Sequence, residues 1–476
     1  MAEPSWFRYY RRLPVWAQNV CCSLGGLKNR RARYGRTFRE ALAFLERSEW
    51  WSLNEQVQYQ NERLREVVRH AYDTVPYYRE VFDAHKLRPE DIRTRDDLPK
   101  LPTLTKQTIR SRLSDLLSRA VSRKRHVHVH TGGTTGTALP LVMTPETIQW
   151  QWAVWWRHHR RFGIDVRDPF IVFAGRNVVP LADMDPPFWR RNLPMHQTYV
   201  SIHHMTQRNM AALVDYLQRR KVVYYSGYPS ALYLLATYLL DERIRLRHPP
   251  RLVVTGAETV LPHQRQAIQK ALDAEVADQY GATEMAGNIS ECPRHVYHVD
   301  MEFGVVELEP LAGLPGPQRR ILCTALHNEA MPLIRYDIGD IATVGGQTCS
   351  CGRQAPVAER IDGRIESYII TPDGRQLGRL DFLFKDSDAI QEAQLIQDRP
   401  DHLVARVVKA DGYAPADEQK LLANMRAYMG EAIHIDIEYV DQVPREANGK
   451  FRQIVSHVFR DKYASQTQSS VAGGAT

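Results

Sequence analysis

Between residues 170 and 284 the sequence repeats one pattern. A short β-branched or aromatic run is followed by a turn and then by a stretch of helical length. The runs are Phe170-Ile171-Val172-Phe173, Val222-Val223-Tyr224-Tyr225, 251–255 and 275–280, and helices are expected over 145–161, 205–219, 230–240 and 261–273. Repeated strand–turn–helix units of this length predict an α/β fold with layers of parallel strands. In such folds ligands collect beyond the carboxyl ends of the strands. The turns near 131, 227 and 281 all fall at expected strand ends, so they are placed to converge on one crevice.

The flanking regions read differently. Over 37–90, Phe38, Leu42, Leu45 and Trp50 recur at helical spacing, as do Leu64, Val67, Val68 and Ala71. The Pro-rich stretch 98–104 reads as a linker. From 296 to 345 short alternating runs such as Val305-Val306-Glu307-Leu308-Glu309 predict a β-rich subdomain. Strands near 366–370, 393–397, 402–408 and 433–439, with a helix at 416–428, predict a small α+β unit. The expected organisation is a basic aromatic arm (1–36), a large domain (37–362), a small mobile domain (363–464) hinged at Asp362-Gly363-Arg364, and a disordered tail (465–476). A chain of 476 residues is long enough for this, since single cores stop growing at roughly 250–300 residues.

Charge and composition narrow the partners. A net charge of +8 is modest for this length and compatible with anionic small substrates as well as with nucleic acid. No apolar run approaches the ~20 residues of a spanning helix, and Gln18 and Asn19 interrupt the only apolar stretch near the N-terminus. Six cysteines in so long a chain do not make a disulfide scaffold, so a reducing cytoplasm is expected. The arm combines Trp6, Phe7, Tyr9 and Tyr10 with arginines; it reads as a helix lying on the main domain, or as a weak membrane-surface or partner contact. Nucleic acid is not an expected partner: aromatic and basic residues are not interleaved beyond residue 36, and no zinc-finger helix follows the cysteines.

Three stretches carry chemistry. The first, His130-Thr131-Gly132-Gly133-Thr134-Thr135-Gly136-Thr137, packs glycines and threonines after a β-prone alternation. Free N–H groups and hydroxyls there can grip anionic oxygens, although an ordinary strand connection is the plainer reading. It is not a Walker A loop, because no Gly-Lys-Ser/Thr follows. The second, Tyr280-Gly281-Ala282-Thr283-Glu284, offers a flat face for a base, a hydroxyl for phosphate and a hard oxygen for Mg²⁺; alternatively it is a capped helix start. The third, Arg335-Tyr336-Asp337-Ile338-Gly339-Asp340, ends in a carboxylate suited to ribose hydroxyls, and Lys450 offers a mobile cation that could meet developing negative charge.

Taken in order, this set of loop, Tyr-Gly-x-Thr-Glu, Arg-Tyr-Asp-x-Gly-Asp, Gly-Arg and terminal Gly-Lys resembles the adenylate-forming superfamily. Within it the chain resembles the phenylacetate–CoA ligase family, and its capsular polysaccharide branch by Ser-Gly-Tyr-Pro-Ser, Cys-Ser-Cys-Gly-Arg and Gly-Lys-Phe-Arg. The likeness runs from about residue 35 to 460. It implies ATP- and Mg²⁺-dependent activation of a carboxylic acid to an acyl-adenylate with loss of pyrophosphate, then transfer to a thiol (CoA-like) or an amine. It also implies roles: Thr131, Gly132, Gly133, Thr134, Thr135 and Gly136 at the pyrophosphate-side oxygens, Tyr280 and Gly281 at adenine, Thr283 and Glu284 at phosphate and Mg²⁺. Asp340 and Arg364 would hold the ribose side, Glu258 would line the acyl pocket with the Ser226-Gly227-Tyr228-Pro229 turn, and Lys450 would bridge carboxylate and α-phosphate. The loop has Gly133 and Ala138 where many relatives have serine and a basic residue, and Glu366 stands where aspartate is usual. The clamp is therefore expected to work only when the small domain closes. The competing expectation is a degenerate nucleotide- or partner-binding accessory protein in polysaccharide assembly.

Cys292, His298, Cys349 and Cys351 form a second constellation. Three thiolates and one imidazole fit a closed structural Zn²⁺ site, and reduced core cysteines are the alternative.

Overall fold

The computed structural model of the chain describes residues 9–10, 12–131, 139–176, 178–180, 183, 185–310, 316–346, 348–364, 368–372, 376–378, 389–410, 412–445 and 451–458. Strands β1 (Val127–His130) and β2 (Pro140–Met143) form a hairpin around the Gly/Thr stretch. The centre of the molecule is a nine-stranded sheet. Its strands are β3 (Phe170–Ala174), β4 (Trp189–Asn192), β5 (Gln197–Ser201), β6 (Tyr224–Gly227), β7 (Leu252–Gly256), β8 (Glu275–Gly281), β9 (Asn288–Glu291), β10 (Tyr297–Val299) and β14 (Val357–Ala358). They lie in the order β14-β10-β9-β8-β7-β6-β3-β5-β4. The five strands from β5 to β8 run parallel, and the strands beyond them on both sides are antiparallel.

The parallel strands are apolar on both faces because both faces are covered. Phe173, Tyr225, Val253 and Val276 pack with Leu213, Leu235 and Leu272 of the crossover helices. Their sequence neighbours Tyr224, Leu252, Val254 and Ala277 point the other way, into a core with Phe38, Leu42, Leu45 and Trp156. The helix Pro145–Arg161 supplies Trp156; it starts at the expected residue, with proline in its first turn and Thr144 accepting the Thr147 N–H. The helix Arg36–Ser48 ends before Trp50, which is exposed although its spacing matched Phe38, Leu42 and Leu45.

A four-stranded antiparallel sheet follows, of β11 (Gly304–Glu309), β12 (Gln318–Ala325), β13 (Tyr336–Thr343) and β15 (Arg360–Arg364). The stretch 98–104 is not a free linker. Leu98, Leu101 and Leu104 are buried, and Leu104 is tied to β13 by hydrogen bonds with Arg335 and Asp337. Beyond β15 come a hairpin of β16 (Tyr368–Ile370) and β17 (Gln376–Gly378) and a sheet of β18 (Ile390–Arg399), β19 (His402–Lys409), β20 (His434–Tyr439) and β21 (Ile454–Ser456). The helix Pro415–Met429 covers that sheet through Leu421, Met425 and Met429. The α+β character expected of this unit is present, and β21, too short to stand out by pattern, pairs in parallel with β18.

The N-terminal helix Val15–Arg33 lies along β4. Asn19 Oδ1 accepts the Arg191 N–H at 2.8 Å, Ser23 Oγ accepts the Leu193 N–H at 3.2 Å, and Gln18 Oε1 accepts from Arg190 at 2.5 Å. Among the described residues no helix is long and apolar enough to cross a membrane.

Candidate active site and metal centre

Parallel pairing sets the crevice. In β6, β7 and β8 the residues Gly227, Thr255 and Asp278 lie side by side, so the turns that follow emerge together at the carboxyl ends. The Glu258 carboxylate sits between two of these turns. Its Oε2 accepts the Ser230 N–H at 3.1 Å, and its Oε1 accepts the N–H of Phe451, far away in sequence, at 2.6 Å. Burial pushes the Glu258 carboxyl above the usual range, against the pull of the two N–H groups.

At the end of β8, Tyr280 donates its phenolic hydrogen to Asp340 Oδ2 at 2.7 Å. Asp340 pairs in register with Arg364 of β15, whose Nε lies 3.2 Å from Asp340 Oδ1 and whose Nη1 donates to the Ile338 carbonyl. Burial and the adjacent carboxylate push the Tyr280 phenol well above its usual value. Gly281 is required by space, since a Cβ there would meet Asn288 Oδ1 at 2.6 Å. Gly339 has φ +75° and turns the chain into Asp340, with the Lys106 ammonium 3.0 Å from where a Cβ would stand.

Thr283 is half-buried on the turn after β8; Glu284 is buried and accepts from the Tyr336 hydroxyl at 2.8 Å. This turn leads into the antiparallel β9, so it is not a helix start. Three non-glycine residues with left-handed backbone adjoin these groups: Ala257 (φ 69°) before Glu258, Met285 (φ 52°) after Glu284, and Arg335 (φ 54°) before Tyr336. Such conformations cost energy that the surrounding fold must offset, and they cluster at functional turns.

Thr131 closes the base of the Gly/Thr stretch. Its N–H donates to the Leu139 carbonyl, and its hydroxyl accepts the Leu139 N–H at 3.0 Å. Gly132, Gly133, Thr134, Thr135, Gly136, Glu366 and Lys450 lie outside the described residues. Tyr336, Ser230 and Phe451 were not singled out by the sequence. All three stand inside quoted motifs, Tyr336 in Arg-Tyr-Asp, Ser230 in Ser-Gly-Tyr-Pro-Ser and Phe451 in Gly-Lys-Phe-Arg, but the backbone N–H groups by which Ser230 and Phe451 reach Glu258 leave no trace in side-chain identity.

The four residues of the second constellation meet. The ligand atoms of Cys292, His298, Cys349 and Cys351 all lie within 4.8 Å of one another. Cys292 Sγ is 3.5 Å from Cys349 Sγ, and Cys351 Sγ is 3.4 Å from His298 Nε2. A tetrahedral Zn²⁺ with bonds near 2.3 Å has edges of roughly 3.8 Å, so this donor set fits that ion. The other ring nitrogen, His298 Nδ1, is held by the Ala355 carbonyl at 3.3 Å, the orientation such a ligand needs. Burial pushes the His298 imidazole down to about 4 and the Cys349 thiol up to about 12. For Cys351 burial raises the thiol, but the Arg353 N–H and Cys349 outweigh it and hold it low. Strand β9 joins the two sites: Asn288 pairs with Gly281 at its start, and Cys292 follows its end. Behind the cluster, Arg353 and Arg161 share Glu49, and Arg161 and the fully buried Arg157 share Asp300.

The model of the CapK C-terminal domain matches residues 369–457. Protein CapK of Staphylococcus aureus is 23% identical over 458 residues, which cover 94% of this chain and 99% of that one. Phenylacetate-coenzyme A ligase of Thermus thermophilus is 24% identical over 442 residues, covering 83% of this chain and 95% of the relative. The solved structure of 2-hydroxyisobutyryl-CoA ligase in the postadenylation state superposes with a TM-score of 0.68 at 20% identity, over 89% of this chain and 94% of that one.

Residues 369–457 match the CapK C-terminal domain, and the chain over most of its length is similar to CapK and to phenylacetate-coenzyme A ligase and shares the fold of a CoA ligase. Its mixed α/β architecture, with a large sheet-and-helix body and a C-terminal α+β unit, is the one expected.

Proposed function

We propose that the protein uses ATP to convert a carboxylic acid to an acyl-adenylate, releasing pyrophosphate, and then transfers the acyl group to a thiol or an amine. The observation that carries this reading is that Glu258 and Tyr280 stand at the carboxyl ends of the adjacent parallel strands β7 and β8, with Tyr280 bonded to the Asp340–Arg364 pair and Glu284, just beyond β8, bonded to Tyr336. A carboxylate is a poor electrophile, and a mixed anhydride with AMP gives it a good leaving group. What the protein must then supply is position and charge neutralisation. Tyr280 and Gly281 would take the adenine, Asp340 and Arg364 the ribose side, and Thr283 with Glu284 the phosphates and their Mg²⁺. Bound Mg²⁺ would supply charge neutralisation at the phosphate oxygens. Thr131 and the five residues after it would hold the departing pyrophosphate, and Lys450, the neighbour of Phe451, would bridge the carboxylate and the α-phosphate. The large and small domains would divide near Asp362–Arg364.

Capsular polysaccharide synthesis is the setting we propose, on the similarity to CapK, and Cys292, His298, Cys349 and Cys351 would hold one structural Zn²⁺. ATP–pyrophosphate exchange that depends on an added carboxylate tests the reading, with a panel of aryl, amino and sugar-linked acids. At least one acid should support exchange, and Lys450→Ala should abolish it. ATP binding without exchange by any acid would instead favour an accessory nucleotide-binding role.

A further inference from the structure

The helix Val15–Arg33 is built inside out. Its inward face carries Gln18 and Gly26, both buried, with Asn19 and Ser23 on the β4 side; the contacts to the body include the polar ones described above, beside Cys22 packed against the core and Arg33 over the Trp152 ring. Its apolar residues point to solvent. Trp16 is 71% exposed, Val20 50% and Leu24 63%, with Leu27 beside them. Spacings of four, four and three place these residues on one face, as an amphipathic helix requires. Tyr9 and Leu13, just before the helix, and Leu193, whose N–H bonds to Ser23, are exposed as well.

The charge beside this stripe has one sign. Between Glu3 and Glu40 the sequence contains no acidic residue, and the last turns of the helix carry Lys28, Arg30 and Arg31. We propose that this helix docks the protein on an anionic lipid surface, with Trp16, Val20, Leu24 and Leu27 entering the headgroup boundary and Lys28 and Arg31 facing the lipid charge. An apolar stripe flanked by cations is what such a surface binds. A second copy of the chain is a poorer partner, because a symmetric contact through this face would bring the same cations together. The polar docking on β4 holds the helix with its stripe already outward, so binding requires no unfolding.

Sedimentation of the full chain with phosphatidylcholine vesicles, with and without phosphatidylglycerol, tests this. Binding should need phosphatidylglycerol and weaken as salt is raised. Two variants separate the contributions: Trp16→Ser with Leu24→Ser and Leu27→Ser, and Lys28→Gln with Arg31→Gln. Each changes only exposed side chains and should keep the wild-type melting temperature while weakening vesicle binding about tenfold or more. Equal binding to neutral and anionic vesicles, or unchanged binding by both variants, overturns the proposal. So does a concentration-dependent dimer that the apolar variant dissolves.

Discussion

The backbone N–H of Phe451 donates to Glu258 Oε1 at 2.6 Å, so a residue of the C-terminal unit is fastened to the turn after β7. The carboxylate it meets also holds Ser230. Removing the acceptor strands two N–H groups, each at a cost of about 1–3 kcal/mol if it stays buried. Glu258→Ala should therefore lower carboxylate-dependent pyrophosphate exchange by roughly ten- to a hundredfold and speed proteolysis of the C-terminal unit. Glu258→Gln keeps an acceptor and should lose far less; equal losses in both variants would remove the fastening role.

The Tyr280 hydroxyl anchors Asp340 at 2.7 Å on one side, as Arg364 does at 3.2 Å on the other. A hydrogen bond to a charged group contributes about 1.5–3 kcal/mol. Tyr280→Phe keeps the flat ring and loses that anchor, so the KM for ATP should rise about tenfold or more with the melting temperature little changed. Asp340→Asn should raise it further. A Tyr280→Phe enzyme with unaltered KM for ATP would show that Asp340 does not need this partner.

Purified protein should contain close to one equivalent of zinc by elemental analysis. Cys292→Ala or Cys351→Ser should lose the metal and lower the melting temperature by several degrees, since binding energy at a structural site is folding energy. A metal-free, fully active and equally stable preparation would dismiss the site.

Acid should destabilise the protein through its buried histidines. Burial pushes His159 down to about 4 and His327 down to about 3, and His158 also lies well below its usual value. A folded-state value below the unfolded 6.5 means that the native state binds fewer protons, so this stability is present above that value and is lost as pH falls toward 4. Between pH 7 and pH 5 the loss is roughly 2 kcal/mol per histidine. Asp278, pushed up to about 6 by burial and the neighbouring Glu291, works the other way and gains stability as pH falls through 6. The His327 Nε2–H donates to the Glu302 carbonyl at 2.8 Å, and the ring stacks on Trp150. His327→Phe keeps the stacking and should flatten the pH slope of urea unfolding by that single-histidine amount; an unchanged slope would contradict the assignment.

The parallel strands were legible because runs such as Val222–Tyr225 and 252–254 are apolar at every position, the mark of a strand covered on both sides. The turn at Tyr280–Glu284 was legible because its residue types are rare together. Strands β4 and β5 were not, since Trp189-Arg190-Arg191-Asn192 and Gln197-Thr198-Tyr199 carry no apolar alternation; position beside β3 makes them strands. The grip of Phe451 on Glu258 was invisible because a backbone donor leaves no trace in side-chain identity. The inverted N-terminal helix ran against the usual rule that apolar faces turn inward, and only the polar partners on β4 reveal its orientation.

The nine-stranded sheet ends on one side at β14, beside the Cys/His cluster, and on the other at β4, where Asn19 and Ser23 occupy outward-facing N–H groups. A long sheet with open borders invites strand addition from other chains. Here the β4 border is shut by side chains of the first helix. The first helix therefore bears on solubility as well as on shape: a chain stripped of it would offer the β4 border as a bare template for aggregation.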